Sequence, residues 1–171
     1  MVAAGHVAPA VPSGTIRPAT RDDMPALKAV IDANHLFPSE MLDEMMAGYL
    51  DGTSAQEFWL TDDDGGPVAV TYCAPERMTS GTWNLHLIAV RPDRQGQGRG
   101  TALLRHIERA LAARGGRVLL VETSGLPSFE HTRAFYRKSG YDEEARIRDF
   151  YQVGEDKVIF RKGLQDEDRS A

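Results

Sequence analysis

A run of alternating glycines, Gln95-Gly96-Gln97-Gly98-Arg99-Gly100, is followed at once by Thr101-Ala102-Leu103-Leu104 and preceded by an apolar, strand-like segment ending at Val90. Glycines at alternate positions let the backbone turn tightly and aim several N–H groups at one anion where a helix begins. The run is therefore expected to link a strand to a helix and to cradle a phosphate. It is not a P-loop, which needs Gly-x-x-x-x-Gly-Lys-Ser/Thr, and it is not the Gly-x-Gly-x-x-Gly dinucleotide fingerprint, because its glycines fall at 96, 98 and 100.

The segment resembles the Arg/Gln-x-x-Gly-x-Gly/Ala signature of the GNAT superfamily of acetyl-CoA-dependent N-acetyltransferases. The flanking Leu87-Ile88-Ala89-Val90-Arg91-Pro92 and Thr101-Ala102-Leu103-Leu104 are similar to that family as well. A second segment, Ala134-Phe135-Tyr136-Arg137-Lys138-Ser139-Gly140-Tyr141, resembles the family's other recurring stretch, a tyrosine-bearing helix that ends at Gly before an aromatic. One departure is that many members carry an asparagine seven residues before the tyrosine, where this chain has Phe129; Thr132, one turn before Tyr136, is the candidate for part of that contact.

The order of elements fits the resemblance. A short strand begins at Thr15-Ile16-Arg17, and Thr20 is placed to cap a helix whose first turn carries Asp22, Asp23 and Pro25 and whose apolar side is Leu27, Val30 and Ile31. Ser39 after Pro38 is placed to cap a second helix with Met41, Leu42, Met45, Met46 and Leu50 at helical spacing. Strands are expected over 57–61, 67–74 and 82–90 as a meander, then a helix over 101–114. The apolar run Val118-Leu119-Leu120-Val121 reads as a strand buried on both faces. A helix over 130–138 and strands near 141–151 and 157–162 complete the chain. The expected fold is α/β, a GNAT-like mixed, mostly antiparallel central sheet flanked by helices on both faces. Residues 1–14 read as a flexible leader, 15–164 as one domain and 165–171 as a flexible tail.

Composition narrows the function. At 171 residues and 42% hydrophobic content the chain suits a single core. Its formal charge of -5 argues against nucleic acid as a partner, and no apolar stretch approaches the ~20 residues of a membrane span. Cys73 is the only cysteine, which excludes an internal disulfide and agrees with a cytoplasmic location. Cys73 is read as a buried residue rather than an acyl-carrying nucleophile. The triplet Asp62-Asp63-Asp64 before Gly65-Gly66 reads as a solvated turn, and no metal is assigned.

The chemistry follows from the resemblance and two side chains. When an amine attacks a thioester, the intermediate expels a thiolate, and a nearby phenol can donate a proton or hydrogen bond to that sulfur; Tyr136 is the candidate acid. An alkyl amine with a pKa near ~10 must first lose a proton, and His86 is the best-placed base, at ~13 Å along the strand from the loop. Alternation puts Asn84, His86 and Ile88 on one face of that strand. A histidine four residues before the strand-ending valine is similar to serotonin-type N-acetyltransferases, while Asn84 replaces the acid that many members carry two positions earlier. Glu122 and a water remain alternatives as base.

The resemblance implies acetyl-CoA as cosubstrate. Its binding residues would be Ile88, Ala89 and Val90 through the pantetheine arm, Gln95, Gly96, Gln97, Gly98, Arg99, Gly100 and Thr101 at the phosphates, and Thr132. It also implies a strand splayed from its neighbour by a bulge, and an acceptor pocket near Asn34, His35, Phe37, Phe150 and Tyr151. The expected activity is direct transfer of acetyl to a primary amine of a small molecule or peptide, with a noncatalytic acyl-CoA-binding sensor or interaction module as the alternative. A homodimer is common for such folds, but no unpaired apolar stripe in this sequence argues for one.

Overall fold

The computed structural model describes residues 14–165. Residues 1–13 of the expected leader and 166–171 of the expected tail lie outside the described residues. In chain order the elements are β1 (Thr15–Pro18), α1 (Met24–Ala33), α2 (Met41–Leu50), β2 (Phe58–Asp63), β3 (Pro67–Pro75), β4 (Thr82–Val90), α3 (Arg99–Ala113), β5 (Val118–Ser124), α4 (Glu130–Lys138), β6 (Asp142–Gln152) and β7 (Glu155–Gly163). The seven strands form one sheet in the order β1-β2-β3-β4-β5-β7-β6. All neighbours are antiparallel except β4 and β5, whose crossover is α3.

Each face of the sheet has its own core. Leu27, Val30 and Ile31 of α1 and Leu42 and Met46 of α2 pack on Trp59, Val70, Leu87 and Ala89. On the opposite face, Leu104, Ile107 and Leu111 of α3 and Tyr136 of α4 pack on Leu60, Cys73, Leu85, Leu119, Val121 and Phe160. The 3.6-residue stripe of α3 faces the sheet, as its spacing requires.

Several local signals work as the sequence suggests, with small shifts, but the expected Ser39 cap does not form: Glu40 is the residue before α2, and no side chain caps that helix. Thr20 forms a capping box with Asp23, but around a single 3-10 turn, Arg21–Asp23, which then runs into α1 with Pro25 in its first turn. The helix after the glycine run starts two residues earlier than expected, at Arg99. The strand expected to be buried on both faces is not. In β5, Leu119 and Val121 are buried under α3, whereas Leu120 is only half-buried and Glu122 is exposed. The cause is that α1 and α2 cover β2 to β4 and stop short of β5.

Candidate active site between β4 and β5

The parallel pairing of β4 and β5 runs from Thr82–Val118 to Leu85–Val121 and then ends, although β4 continues to Val90 and β5 to Ser124. The sheet is thus open in its middle. On the other edge β4 stays paired with β3, and Arg91 N–H donates to Val68 C=O at 2.8 Å. The alternation of an antiparallel ladder then turns the N–H and C=O groups of Ile88 and Val90 towards the opening. These polar backbone groups line a gap that an extended, amide-bearing arm could fill as an added strand does.

The opening begins at a bulge. Tyr72 pairs with Leu87 and Cys73 with Leu85, so His86 is the extra residue of β4. The bulge breaks the expected alternation of Asn84, His86 and Ile88. Leu85 packs under α3 while Leu87 packs under α1, and Ile88 lies against the α3 core. Asn84 and His86 share the α1 side; Ile88 faces away. His86 is exposed, and its ring stacks on Tyr72 with centroids 5.2 Å apart. Burial and the neighbouring Glu57 carboxylate push the Tyr72 phenol up to about 12, so it stays neutral beneath the imidazole.

At the mouth of the opening sits the glycine loop. Gly96 and Gly98 have φ of 71° and 80°, the left-handed region where a side chain costs about 1–2 kcal/mol. Gly98 is the residue before the first turn of α3, and no side chain caps that turn. Its first N–H groups, including those of Arg99, Gly100 and Thr101, have no partner within the helix and are available to an anion.

The side chains of the loop do a different job from its backbone. Gln95 donates to Val90 C=O at 2.9 Å and to Asn34 Oδ1 at 3.1 Å, while Asn34 Nδ2 donates to Val90 C=O at 3.1 Å and Val30 C=O at 2.8 Å. Together they tie the end of β4 to the end of α1 and to the loop. Arg99 turns inward: its side chain is 3% exposed, bonded to Asp62 at 2.7 Å and to Asp64. Gln97 accepts from Arg99 Nε at 3.3 Å, and Arg94 reaches Asp64 at 2.9 Å.

The triplet Asp62-Asp63-Asp64 is therefore not the solvated turn that its composition suggested. Asp62 is buried under Arg99, and Asp63 pairs with Arg17 at 2.7 Å. An acidic residue inside the buried register of β2, after Leu60 and Thr61, is the signal that could have marked it.

Tyr136 lies on the α3 side, 4% exposed, with its ring among Phe135, Tyr141 and Phe160. It shares its core with Leu85 and Val121, the last pair before the strands part. Burial holds its phenol well above the usual tyrosine value. Tyr136 and His86 are thus on opposite faces of the sheet. Thr132 is half-buried in the first turn of α4, and Phe129, just before that helix, is exposed. The start of α4 is fixed by a residue that the sequence did not single out: Arg133, whose guanidinium donates to Ser124 C=O at 2.6 Å and Leu126 C=O at 2.9 Å.

Glu122 is engaged. Lys157 pairs with it at 2.6 Å, and Asn84 Nδ2 donates to it at 3.3 Å and to Glu76 at 2.9 Å. Lys157 also sits 3.6 Å from the Phe150 ring centroid, which brings Phe150 and Tyr151 to the far end of the same face. Phe37 packs into the α1 and α2 core, and His35 adopts φ 52° just after α1. Burial pushes the Cys73 thiol up to about 12, which leaves it unreactive as a nucleophile. No group of three or more metal-ligating side chains occurs among the described residues. None of the described helices is long and apolar enough to cross a membrane.

Comparison with known proteins agrees with this geometry. A family model described as an acetyltransferase (GNAT) domain matches residues 54–143, which span β2 to the start of β6. A putative GNAT-family acetyltransferase from Desulfovibrio desulfuricans is 29% identical, with a TM-score of 0.80 over 89% of this chain and 99% of that one. The ribosomal-protein-S18-alanine N-acetyltransferase of Escherichia coli is 25% identical, with a TM-score of 0.69 over 92% and 98%. An aminoglycoside 6'-N-acetyltransferase complexed with coenzyme A shares the fold at 18% identity, with a TM-score of 0.71 over 88% and 97%. No match was found among curated proteins. With the family model covering more than half of the chain and a parted β4–β5 pair leading to a glycine loop, this protein belongs to the GNAT family and is an acetyltransferase.

Proposed function

We propose that this protein binds acetyl-CoA in the β4–β5 opening and transfers the acetyl group directly to a primary amine of a small molecule or peptide. The observation that carries the reading is the parting of β4 from β5 after Leu85–Val121, with the glycine loop at its mouth. The pyrophosphate lies against the backbone N–H groups of Gly96 to Thr101. The amides of the pantetheine arm pair with Ile88 and Val90, and Ala89 holds the strand between them. Val90 C=O already accepts from Gln95 and Asn34, so Ile88 and the Val90 N–H are the backbone groups most open to the arm. Thr132 contributes from α4.

The proton transfers are divided between the two faces. His86 takes the proton of the attacking ammonium from the α1 side, directly or through a water. Tyr136 donates to the departing thiolate from the α3 side. Its raised pKa keeps it protonated at any working pH, which suits a donor. Glu122 is less suited as base because Lys157 and Asn84 hold its carboxylate. The aminoglycoside and ribosomal-protein enzymes of similar fold act on an amine of a small molecule and of a protein, so the fold itself allows either class here.

The test is CoA release from acetyl-CoA across a panel of amines, for the unaltered protein, Tyr136→Phe and His86→Ala. The reading predicts amine-dependent release that falls at least about tenfold in each variant while acetyl-CoA binding persists. Tight binding without release for any amine would instead indicate a noncatalytic acyl-CoA sensor.

A further inference from the structure

Three aromatic rings lie face to face across the sheet on the α1 side. Trp59 of β2 stands directly opposite Tyr72 of β3, and the two stack with centroids 4.2 Å apart and planes 10° apart. Tyr72 in turn stacks on His86 of β4, at 5.2 Å and 29°. The stack runs outward: Trp59 is buried in the core under α1 and α2, Tyr72 is half-buried, and His86 is exposed. Trp59 Nε1 has no hydrogen-bond partner among the described residues, so what this indole gives its neighbours is its flat face.

The stack matters for His86 because little else holds it. As the extra residue of the bulge it has no residue of its own opposite it on β3. Its side chain makes no hydrogen bond or ion pair among the described residues. A histidine that serves as a base is ordinarily oriented by a third group bonded to its second ring nitrogen. A ring face orients the imidazole without occupying either nitrogen, which leaves one to take a proton and the other to pass one to a water. The Tyr72 ring is itself pinned, because β3 lies between β2 and β4 and its neighbours in the stack flank it on both sides.

We propose that Tyr72, backed by Trp59, is a positioning residue for the acceptor half of the reaction: its ring face holds the His86 imidazole in the orientation that takes the proton of the amine. The inference rests on the reading of His86 as the base. Without that ring the imidazole is shared among other rotamers, and the productive fraction falls by the factor that one aromatic contact supplies, about three- to tenfold. The hydroxyl is not needed for this, although the Glu57 carboxylate lies beside it.

The experiment is a double-mutant cycle on kcat for the best amine of the panel, with Tyr72→Leu, Tyr72→Phe, His86→Ala and the Tyr72→Leu/His86→Ala pair, acetyl-CoA affinity being measured for each. Tyr72→Leu is expected to lower kcat about fivefold with acetyl-CoA affinity unchanged, and Tyr72→Phe to stay within about twofold of the unaltered protein. In the His86→Ala background the Tyr72→Leu change should alter the residual rate by less than about twofold, since a residue that acts through His86 then has nothing to act on. A second readout needs no turnover. The imidazole proton resonances of His86, identified by their loss in His86→Ala, should lie upfield of those of the other histidines because of the Tyr72 ring current, and should stay there in Tyr72→Phe. That readout carries the test if Tyr72→Leu does not fold. An equal fall in both backgrounds, an unchanged kcat in Tyr72→Leu, a comparable fall in Tyr72→Phe, or His86 resonances with no upfield displacement would overturn the positioning role and leave His86 standing as the base. Full activity in His86→Ala, or no amine-dependent turnover by the unaltered protein, would overturn the base reading first, and the role of Tyr72 with it.

Discussion

Arg99 lies within the glycine loop and yet turns its charge away from any ligand, into a contact with Asp62 in which both side chains are at most 4% exposed. Its backbone serves the loop, while its side chain fastens that loop to β2. Removing one partner of a buried pair leaves an uncompensated charge and costs about 3–5 kcal/mol, whereas replacing both by apolar groups costs much less. Asp62→Ala is therefore expected to lower stability by about 3 kcal/mol in urea unfolding, the lower end because Asp64 still meets Arg99. Asp62→Leu combined with Arg99→Met should be less damaging than Asp62→Ala alone. The same single substitution should weaken acetyl-CoA binding, because the loop it releases is the one proposed to meet the phosphates.

At the scale of elements, the first helix and the first strand are joined by charge. Arg17 of β1 bonds both Asp23, before α1, and Asp63, at the end of β2. Asp23 is 7% exposed, and the Arg17 hydrogen bonds, helped by the Thr20 backbone and hydroxyl, hold its carboxyl down to about 2 from an ordinary 3.8. A carboxyl lowered in the folded state stabilises it above the unfolded value and loses that contribution as pH falls through the folded one. The contribution is therefore complete above about pH 4 and is lost between about pH 4 and pH 2, amounting to about 2 kcal/mol. Urea midpoints measured from about pH 6 to about pH 2 should show the unaltered protein losing about 2 kcal/mol more than Asp23→Asn over that interval.

Much of this layer was readable in advance, and the exceptions have physical causes. Helix α4 begins and ends where its pattern said, because its amphipathic stripe and the Ser139-Gly140 stop are local signals. The glycine loop was legible for the same reason. The face of His86 was not: a bulge is a register event between two strands, visible in the pairing of β3 with β4 and not in the period of β4 alone. The roles of the buried Asp62 and the half-buried Asp64 depended on arginines 30 or more residues away in sequence. The half-covered state of β5 depended on how far α1 and α2 extend, which no segment of sequence states by itself.

For the whole molecule, the decisive arrangement is a sheet whose middle pair of strands parts, with a separate core on either side. Tyr136 packs in one core with Leu85 and Val121, the last pair before the strands part, and His86 lies on the other face, so in the proposed reaction an acyl donor entering beside α3 and an amine entering beside α1 would meet with these two groups on opposite sides of the transferred carbonyl. The proposed reaction needs both substrates present together and gives no role to a covalent enzyme intermediate. Cys73, the single cysteine, is buried with its thiol pushed up to about 12, which removes the obvious acyl carrier. The most direct measurement is the initial rate of CoA release with acetyl-CoA and the best amine of the panel varied against each other. Intersecting reciprocal plots, with no acetylated protein seen by mass spectrometry when the amine is withheld, are the predicted result; parallel plots with acetyl-enzyme accumulating in the absence of amine would contradict it.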